Sequence, residues 1–329
     1  MKNYIYLVFV LVVFSACSTK EVFEPENTAG DWENTSSLDY SVVEKEGKVA
    51  VLENNTIMID SKPTDIKIKP GYRLLGLSND FIVITNIEGN LKLIDKKTKK
   101  EIEFELKKTI ATASTDGDVL AVIFSDGALA LYDLSSKSLL LKLDGTTSIA
   151  LDSRIVMPYF MQDLVLFMTL DGKVIIVNKR LKKKLRTIIV SSSDFFNNII
   201  YFDILKDKLI VATNKKILSF GSSEQRVEYE ARNITHDENN LYVATKQGDI
   251  ISLTPNLKEI AKAHFSFAHF LALHVKGDKI YALEKEGYLI VASKDLLKYK
   301  IYEVDIDDEG YVYQDKDKII VEDEVINLK

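Results

Sequence analysis

A pair of alternating apolar runs around a short polar turn recurs along this 329-residue chain. One copy spans residues 81–95 with Gly89 at its turn, and another spans residues 119–133 with Gly127 at its turn. Alternation with a period of two indicates strands with one buried face. Gly, Asn or Asp between two such runs is a hairpin signal, because these residues reach the positive φ values that tight turns require. The chain is therefore predicted to be a series of hairpins.

Further clear copies have Gly172, Gly248 and Gly287 at their turns, and weaker copies lie at residues 48–60, 207–220 and 310–322. The turns recur roughly every 40 residues, which is typical of β-propeller blades with four short strands each. Eight hairpins predict an all-β propeller of eight blades. Seven blades would result if the first and last units shared one blade, and a β-helix or two stacked sandwiches are further alternatives.

Each blade should also have an outer strand. Residues 99–106, 138–143, 184–190, 258–264 and 298–304 fit this role. They are richer in Lys, Glu and Ser than the hairpins, and charge on an exposed edge discourages pairing with other chains.

The N-terminus predicts export. Residues 4–14 are almost entirely apolar, follow Lys2 and end before the small residues Ser15 and Ala16. The run is too short for a membrane-spanning helix, which needs about 20 apolar residues. Cys17, the only cysteine, then closes a stretch that resembles the bacterial lipobox, although Phe14 stands where such motifs usually have Leu. We expect a signal peptide over 1–16, lipidation of Cys17, a flexible tether over 17–37 and a propeller over 38–329; an ordinary secretory signal is the alternative.

Composition limits the partners. The formal net charge is −6, with 46% hydrophobic and 28% charged residues. Nucleic-acid binding needs a clustered positive surface, so we expect no nucleic-acid partner. The hydrophobic fraction is sufficient for a large core.

Residues 89–101 and 126–138 each run from a Gly turn through a strand to an Asp, a short polar turn and an outer strand. In this they resemble the PQQ-type propeller repeat. Quinone-using members of that family carry a Trp near each blade end, whereas this chain has the single Trp32. We therefore expect no quinone and no other cofactor.

A lipidated propeller with these repeats resembles the BamB-like lipoproteins. The resemblance implies a protein-interaction scaffold on the periplasmic face of the bacterial outer membrane, which docks on the barrel subunit of the machinery that assembles outer-membrane β-barrels. Ser18 after the cysteine fits sorting to the outer membrane. A surface adhesin or sensor is the alternative function, and a small-ligand-binding or enzymatic central channel is a third.

Two stretches of the fourth and fifth repeats are longer than a propeller requires, and long loops often carry function. They contain Pro158, Tyr159 and Phe160 in one and Phe195 and Phe196 in the other. Aromatic residues are enriched at interface anchors, so these five are candidate partner-binding residues. Alternatively, they begin inner strands and belong to the core.

Residues 179–186 form one dense basic run, which includes Lys182, Lys183 and Lys184. We predict that these lysines contact anionic lipid headgroups or an acidic partner surface; a solvated turn is the alternative.

His264, His269 and His274 do not converge by strand alternation, so we expect no metal site. The acidic runs at residues 307–309 and 322–324 are interpreted as solvated turns. The sequence has no recognisable nucleophile elbow, phosphate-binding loop or calcium loop, and we expect no enzymatic activity.

Overall fold

The predicted hairpins all form. The structure is a computed structural model that describes residues 21–148, 150–193, 195–306 and 310–329. These residues contain 32 β-strands and no α-helix. The strands assemble into eight antiparallel sheets of four, which confirms the eight-bladed propeller and excludes the seven-bladed alternative.

Blades 1 to 4 follow the chain from its first complete sheet. Their strands are β2 (Val42–Glu46), β3 (Val49–Leu52), β4 (Thr56–Ile59) and β5 (Lys62–Lys67); β6 (Arg73–Ser78), β7 (Phe81–Thr85), β8 (Asn90–Asp95) and β9 (Glu101–Glu105); β10 (Ile110–Asp116), β11 (Val119–Phe124), β12 (Leu129–Asp133) and β13 (Leu139–Leu143); and β14 (Tyr159–Met161), β15 (Leu164–Met168), β16 (Lys173–Asn178) and β17 (Lys183–Ile189).

Blades 5 to 8 complete the ring. Their strands are β18 (Tyr201–Leu205), β19 (Lys208–Ala212), β20 (Lys216–Phe220) and β21 (Glu224–Glu228); β22 (Ala231–His236), β23 (Leu241–Thr245), β24 (Asp249–Leu253) and β25 (Glu259–His264); β26 (Phe270–Lys276), β27 (Lys279–Glu284), β28 (Tyr288–Ser293) and β29 (Tyr299–Glu303); and β30 (Val312–Asp315), β31 (Lys318–Val321), β32 (Glu324–Asn327) and β1 (Thr35–Ser37).

The last blade closes the ring because it combines both ends of the described chain. Seven sheets use four consecutive strands, whereas the eighth has the order β1-β32-β31-β30. Thr35 pairs with Ile326 and Ser37 with Glu324. The inner strands β2 and β30 also contact each other, so blade 8 lies beside blade 1.

The hydrophobic core is divided into eight clusters, each lying between two neighbouring blades. Leu91 and Leu120, for example, belong to the cluster between blades 2 and 3, and Val211 and Leu166 to the cluster between blades 4 and 5. Tyr313 and Met58 belong to the cluster that joins blade 8 to blade 1. Both faces of each sheet are therefore buried, which a single blade cannot achieve alone.

The two rims of the propeller are built from different segments. The turn after the second strand of each blade and the connection to the next blade share one rim, as the Leu106 N–H shows by donating to the Gly89 carbonyl at 2.9 Å. We call this rim the connection face. The other two turns of each blade share the opposite rim, the turn face, where the Lys96 N–H donates to the Asp80 carbonyl at 2.8 Å.

Residues 21–37 pack on the propeller, instead of forming the free tether expected for them. The Ala29 N–H donates to the Ile301 carbonyl at 2.7 Å, and the Glu303 N–H donates to the Gly30 carbonyl at 3.1 Å, so the segment lies along the outer edge of blade 7. Phe23 and Trp32 are buried. The edge strand has unpaired backbone groups, and these two aromatic side chains fix the polar segment to it. Residues 17–20 lie outside the described residues.

Candidate functional site

Two connections between blades are longer than the rest and meet each other. The first long loop (residues 144–158) joins blades 3 and 4, and the second long loop (residues 190–200) joins blades 4 and 5. Asn198, in the second long loop, is fully buried where the two loops meet. Its amide donates to the carbonyls of Asp152 at 3.1 Å and Arg154 at 2.8 Å, and its Oδ1 accepts from the Asp152 N–H at 2.8 Å. One side chain therefore fixes the path of the first long loop.

That path enters the central channel. Arg154 Nη1 donates to the backbone carbonyl of Arg232, on the inner strand of blade 6. Met157 Sδ lies 2.9 Å from the position that a β-carbon on Gly76, in blade 2, would occupy. The inner strand of blade 4 is correspondingly short, at three residues. The later part of the first long loop, from Asp152 to Met157, therefore reaches the inner strands, whereas residues 144–147 are exposed on the connection face.

The predicted binding residues at the end of this loop and the start of β14 have different environments. Pro158 is buried, and its carbonyl accepts a hydrogen bond of 2.6 Å from Ser114 Oγ. Phe160 is half-buried and packs into the core between blades 3 and 4. Both side chains are largely enclosed by the protein, as the core alternative expects, and their role in partner binding stays a prediction. Tyr159 is 40% exposed, with its ring 5.0 Å from that of Phe202.

Phe195 and Phe196 lie on the connection face, where they are 52% and 48% exposed. The Phe196 N–H donates to the Ala150 carbonyl of the first long loop at 2.9 Å. Other blades also expose apolar side chains on this rim: Ile87, Phe267 and Tyr311 are each more than half exposed. Because Ile87, Phe267 and Tyr311 belong to separate blades, the adjacent pair Phe195 and Phe196 is the candidate protein-binding patch of this rim.

The basic run lies on the opposite rim. Lys182 is in the last turn of blade 4, and Lys183 and Lys184 begin its outer strand; all three are exposed. From Lys183 to Ile189 this strand spans about 20 Å at roughly 3.3 Å per residue. The structure therefore separates the three lysines from Phe195 and Phe196, and the two sets cannot form one site.

Within the run, the first two cations have acidic partners. Lys179 pairs with Asp116 at 2.5 Å and Arg180 with Asp163 at 2.8 Å. Lys182, Lys183 and Lys184 make no ion pair within the described residues. Their proposed contact with lipid or an acidic partner stays a prediction.

The channel below the first long loop contains polar side chains that sequence reasoning missed. Arg154 Nε and Nη2 bind the Asp152 carboxylate at 2.8 and 2.6 Å. Beside it, Arg232, Tyr201 and Asn233 line a cavity of about 190 Å³. Arg232 Nε, the Tyr201 hydroxyl and Asn233 Oδ1 are each buried without a hydrogen-bond partner among the described residues. Only the bends of the first long loop and of the inner strands bring them together, so no local motif could have revealed them.

Charged groups continue along the channel on the inner strand of blade 1. Burial raises the pKa of Glu46 to about 7, although the positive charges of Lys45 and Arg73 oppose this shift. Burial also lowers the pKa of Lys45. Glu44 accepts a hydrogen bond of 2.9 Å from the Leu74 N–H, which ties blade 1 to blade 2.

The histidines lie apart and have other partners. His264 Nδ1 is 2.8 Å from Asp249 Oδ1, and His274 Nε2 is 2.8 Å from the Lys316 carbonyl. The His269 N–H donates to Glu284 Oε1 at 2.9 Å. Across the described ranges, no group of three or more His, Cys, Asp or Glu residues could hold a metal ion. Residues 307–309 lie outside the described part, whereas Glu322 and Asp323 form a turn on the connection face.

Cys17 and the apolar run before it also lie outside the described residues. In the part of the chain that is described, no helix is long and apolar enough to cross a membrane.

Comparison with known proteins gives one sequence relationship and several fold relationships. The plasminogen-binding protein PgbB from two strains of Helicobacter pylori, J99 and 26695, is 28% identical over 351 aligned positions. The alignment covers 92% of this chain but only 64% of PgbB, so about a third of that protein has no counterpart here. No family model matches the chain.

Among solved structures, BamB from Moraxella catarrhalis superposes with a TM-score of 0.67 at 12% identity, covering 88% of this chain and 97% of BamB. The C-terminal WD40 domain of Sif2 superposes with a TM-score of 0.59 at 13% identity, covering 95% of this chain and all of that domain. The computationally designed Ika8 protein also reaches 0.59, at 12% identity, and the match covers 92% of this chain and 99% of Ika8. These likenesses show a shared propeller fold.

Proposed function

We propose that this chain is a lipid-anchored propeller that binds a folded protein at the outer surface of a bacterium, and that plasminogen is the first partner to test. The observation that carries the proposal is the 28% identity to PgbB along 92% of this chain. A relationship in sequence over that length supports a shared kind of partner more strongly than a likeness of fold at 12% identity does.

The connection face is the surface that we assign to this role. It exposes Phe195, Phe196, Ile87, Phe267 and Tyr311 around the rim. Aromatic side chains supply a large contact area at a small conformational-entropy cost, and they dominate interface energetics. The closed ring holds these side chains on rigid blades, so a partner would bind a largely pre-formed surface.

Direct binding tests the proposal. Residues 21–329 would be purified and immobilised, and plasminogen and serum albumin would be passed over the surface. We expect saturable binding of plasminogen with a dissociation constant of about 1 µM or tighter, which corresponds to about −8 kcal/mol. Binding no stronger than that of albumin would contradict the proposal.

Anchoring and orientation form a second part of the proposal. Cys17 would carry the lipid at the outer membrane, and the propeller would face outward. Metabolic labelling with a radioactive fatty acid should label the wild-type chain and leave Cys17→Ser unlabelled. Protease added to intact cells should then digest the propeller; complete protection would place it on the periplasmic side.

A scaffold in outer-membrane β-barrel assembly is the second candidate. It is supported by the superposition with BamB over 97% of that protein. Exposed outer strands such as β13 or β17 could bind an unfolded barrel segment by strand addition. Crosslinking in intact cells followed by mass spectrometry distinguishes this candidate, because a scaffold should capture the barrel-assembly subunit in wild-type cells. Protease protection together with this crosslink would replace the first candidate by the second.

A further inference from the structure

Five inner strands share a local irregularity near their start, and one of them differs in chemistry. β2, β6, β10, β22 and β26 each have a register shift that leaves one extra residue unpaired. The extra residues are Val43, Leu75, Ala111, Arg232 and Leu271. A β-bulge re-aims a side chain. At a position that holds an aliphatic residue in four blades, blade 6 therefore directs a guanidinium group into the cavity.

The charge of Arg232 is uncompensated. Within the described residues, its side chain makes no hydrogen bond and no ion pair, and its Nε is buried. The nearest carboxylate on the first long loop, that of Asp152, is already bound by both Nε and Nη2 of Arg154. Burial, and then the positive charge of Arg154, lower the pKa of Arg232. Arg232 is half-buried, and its Nε is buried without a partner among the described residues. An unpaired buried donor on a cation is destabilising, so this atom favours a ligand.

Two further atoms facing the same cavity define what that ligand must offer. In the part of the chain that the structure describes, the Tyr201 hydroxyl is buried without a partner, and it can donate to an anion. The same part holds no partner for the buried Asn233 Oδ1, while Asn233 Nδ2 donates to the Leu271 carbonyl at 3.1 Å. Because the bond from Nδ2 to Leu271 fixes the orientation of the amide, Asn233 Oδ1 needs a hydrogen-bond donor from the ligand. The neighbouring Asp203 is paired with His236 at 3.0 Å and does not compensate Arg232.

We propose that this cavity binds a small 2-hydroxycarboxylate, with its carboxylate on Arg232 and Tyr201 and its hydroxyl donating to Asn233 Oδ1. The planar Arg fork matches a carboxylate. A single negative charge on the ligand balances the one unpaired cation. The volume of about 190 Å³ suits six to ten non-hydrogen atoms, since a cavity of about 150 Å³ holds benzene. Sulfate offers only acceptors and would leave Asn233 unsatisfied.

Lactate, propionate and sulfate test the need for the carboxylate and for the hydroxyl. Propionate has the carboxylate without the hydroxyl, and sulfate is an anion with neither group. Residues 21–329 would be titrated with each sodium salt at constant ionic strength, and binding followed by calorimetry and by the shift in melting temperature. We expect saturable lactate binding, affinity for propionate weaker by about fivefold or more, and no sulfate effect beyond that of chloride. Absence of lactate binding up to about 10 mM, or equal binding of propionate, would overturn the proposal.

Substitutions in the cavity distinguish a loss of lactate binding from a loss of folding stability. Arg232→Met should weaken lactate binding by about tenfold or more, because hydrogen bonds to charged groups contribute most. It should leave the melting temperature of the ligand-free protein unchanged or higher, since it removes a half-buried cation that has no partner among the described residues. Tyr201→Phe should weaken binding by about threefold to tenfold and removes only an unpartnered hydroxyl. Arg180→Met, on the turn face, is the matched control and should bind lactate normally. Normal binding by both channel variants would refute the site.

Discussion

Trp32 Nε1 donates a hydrogen bond to the backbone carbonyl of Asn327 at 3.1 Å, so a residue near the start of the described chain is fixed to one near its end. The Trp32 ring also lies 4.9 Å from that of Tyr302 and 6.3 Å from that of Tyr281, both in blade 7. Trp32 therefore joins blades 7 and 8 at the point where β1 completes the ring. In a closed ring, every interface between blades depends on this closure.

Removal of the Trp32 ring should accordingly destabilise the whole propeller. Trp32→Ala is expected to lower the free energy of unfolding by about 3–5 kcal/mol, because the buried ring leaves a cavity and its hydrogen bond is lost. Urea unfolding followed by circular dichroism measures the change. Val22→Ala, at a more exposed apolar residue of the same segment, is the control and should change stability by less than about 0.5 kcal/mol. A Trp32→Ala midpoint equal to the wild-type midpoint would show that the ring closes without this contact.

Gly76 and Met157 provide a test of the loop that enters the channel. Gly76 has φ of +129°, where other residues are strained, and a β-carbon there would lie 2.9 Å from Met157 Sδ. We expect Gly76→Ala to destabilise the fold by about 2 kcal/mol, from backbone strain and from the clash.

A double-mutant cycle separates these two contributions. Met157→Ala in the Gly76→Ala background should recover the part that is due to the clash, giving a coupling energy of about 0.5–1.5 kcal/mol. Chemical denaturation of the four proteins measures this energy. Strict additivity would mean that Met157 does not approach blade 2 in solution.

Much of the fold could be predicted from the sequence because a propeller repeats one local pattern. Alternating apolar residues and turn residues predict all eight hairpins. The outer strand expected over 99–106 is observed at Glu101–Glu105. The packing of residues 21–37 on blade 7 could not be predicted from the local pattern, because this segment is polar on average. Its position depends on two isolated aromatic residues, Phe23 and Trp32, whose partners lie more than 200 residues away in the chain.

The candidate site was less predictable for the same reason. The wide spacing between hairpins correctly indicates that the connections near residues 155 and 195 are unusually long. Spacing alone does not predict whether such a connection turns outward or into the channel. That outcome depends on Asn198, which is buried and bonded to residues 44 and 46 positions earlier. The unpaired state of Arg232 likewise depends on a bulge and on the pairing of Asp152 with Arg154, neither of which leaves a local motif.

Glu46 predicts a pH dependence of stability. Burial in the channel raises its pKa from 4.5 to about 7 in the folded state. The folded protein thus holds a proton that the unfolded chain releases near pH 4.5, and stability should fall as the pH rises from about 4.5 to about 7. Glu46→Gln removes this contribution, so the variant should be more stable than the wild type at pH 8 by about 1–3 kcal/mol. Glu46 is partly exposed, and screening by solvent favours the lower value.

Unfolding of both proteins at pH 4.5 and pH 8 provides the measurement. Only the difference between them is interpreted, because groups that do not interact with Glu46 titrate equally in both. Glu53→Gln, in a turn on the connection face where the residue is exposed, serves as the matched control. A gap between wild type and Glu46→Gln that does not widen from pH 4.5 to pH 8 would argue against a protonated Glu46.

The two rims provide the decisive test of which surface binds a protein. Phe195→Ser with Phe196→Ser removes two exposed aromatic residues from the connection face, whereas Leu181→Ser with Leu297→Ser removes two apolar residues that are 68% and 79% exposed on the turn face. Exposed side chains contribute little to folding, so both double variants should unfold within about 1 kcal/mol of the wild type. If the connection face binds plasminogen, the phenylalanine pair should weaken binding by about tenfold or more, because interface aromatics are frequent hot spots. The leucine pair should bind as the wild type does. The reverse result would move the binding surface to the turn face, beside Lys182, Lys183 and Lys184.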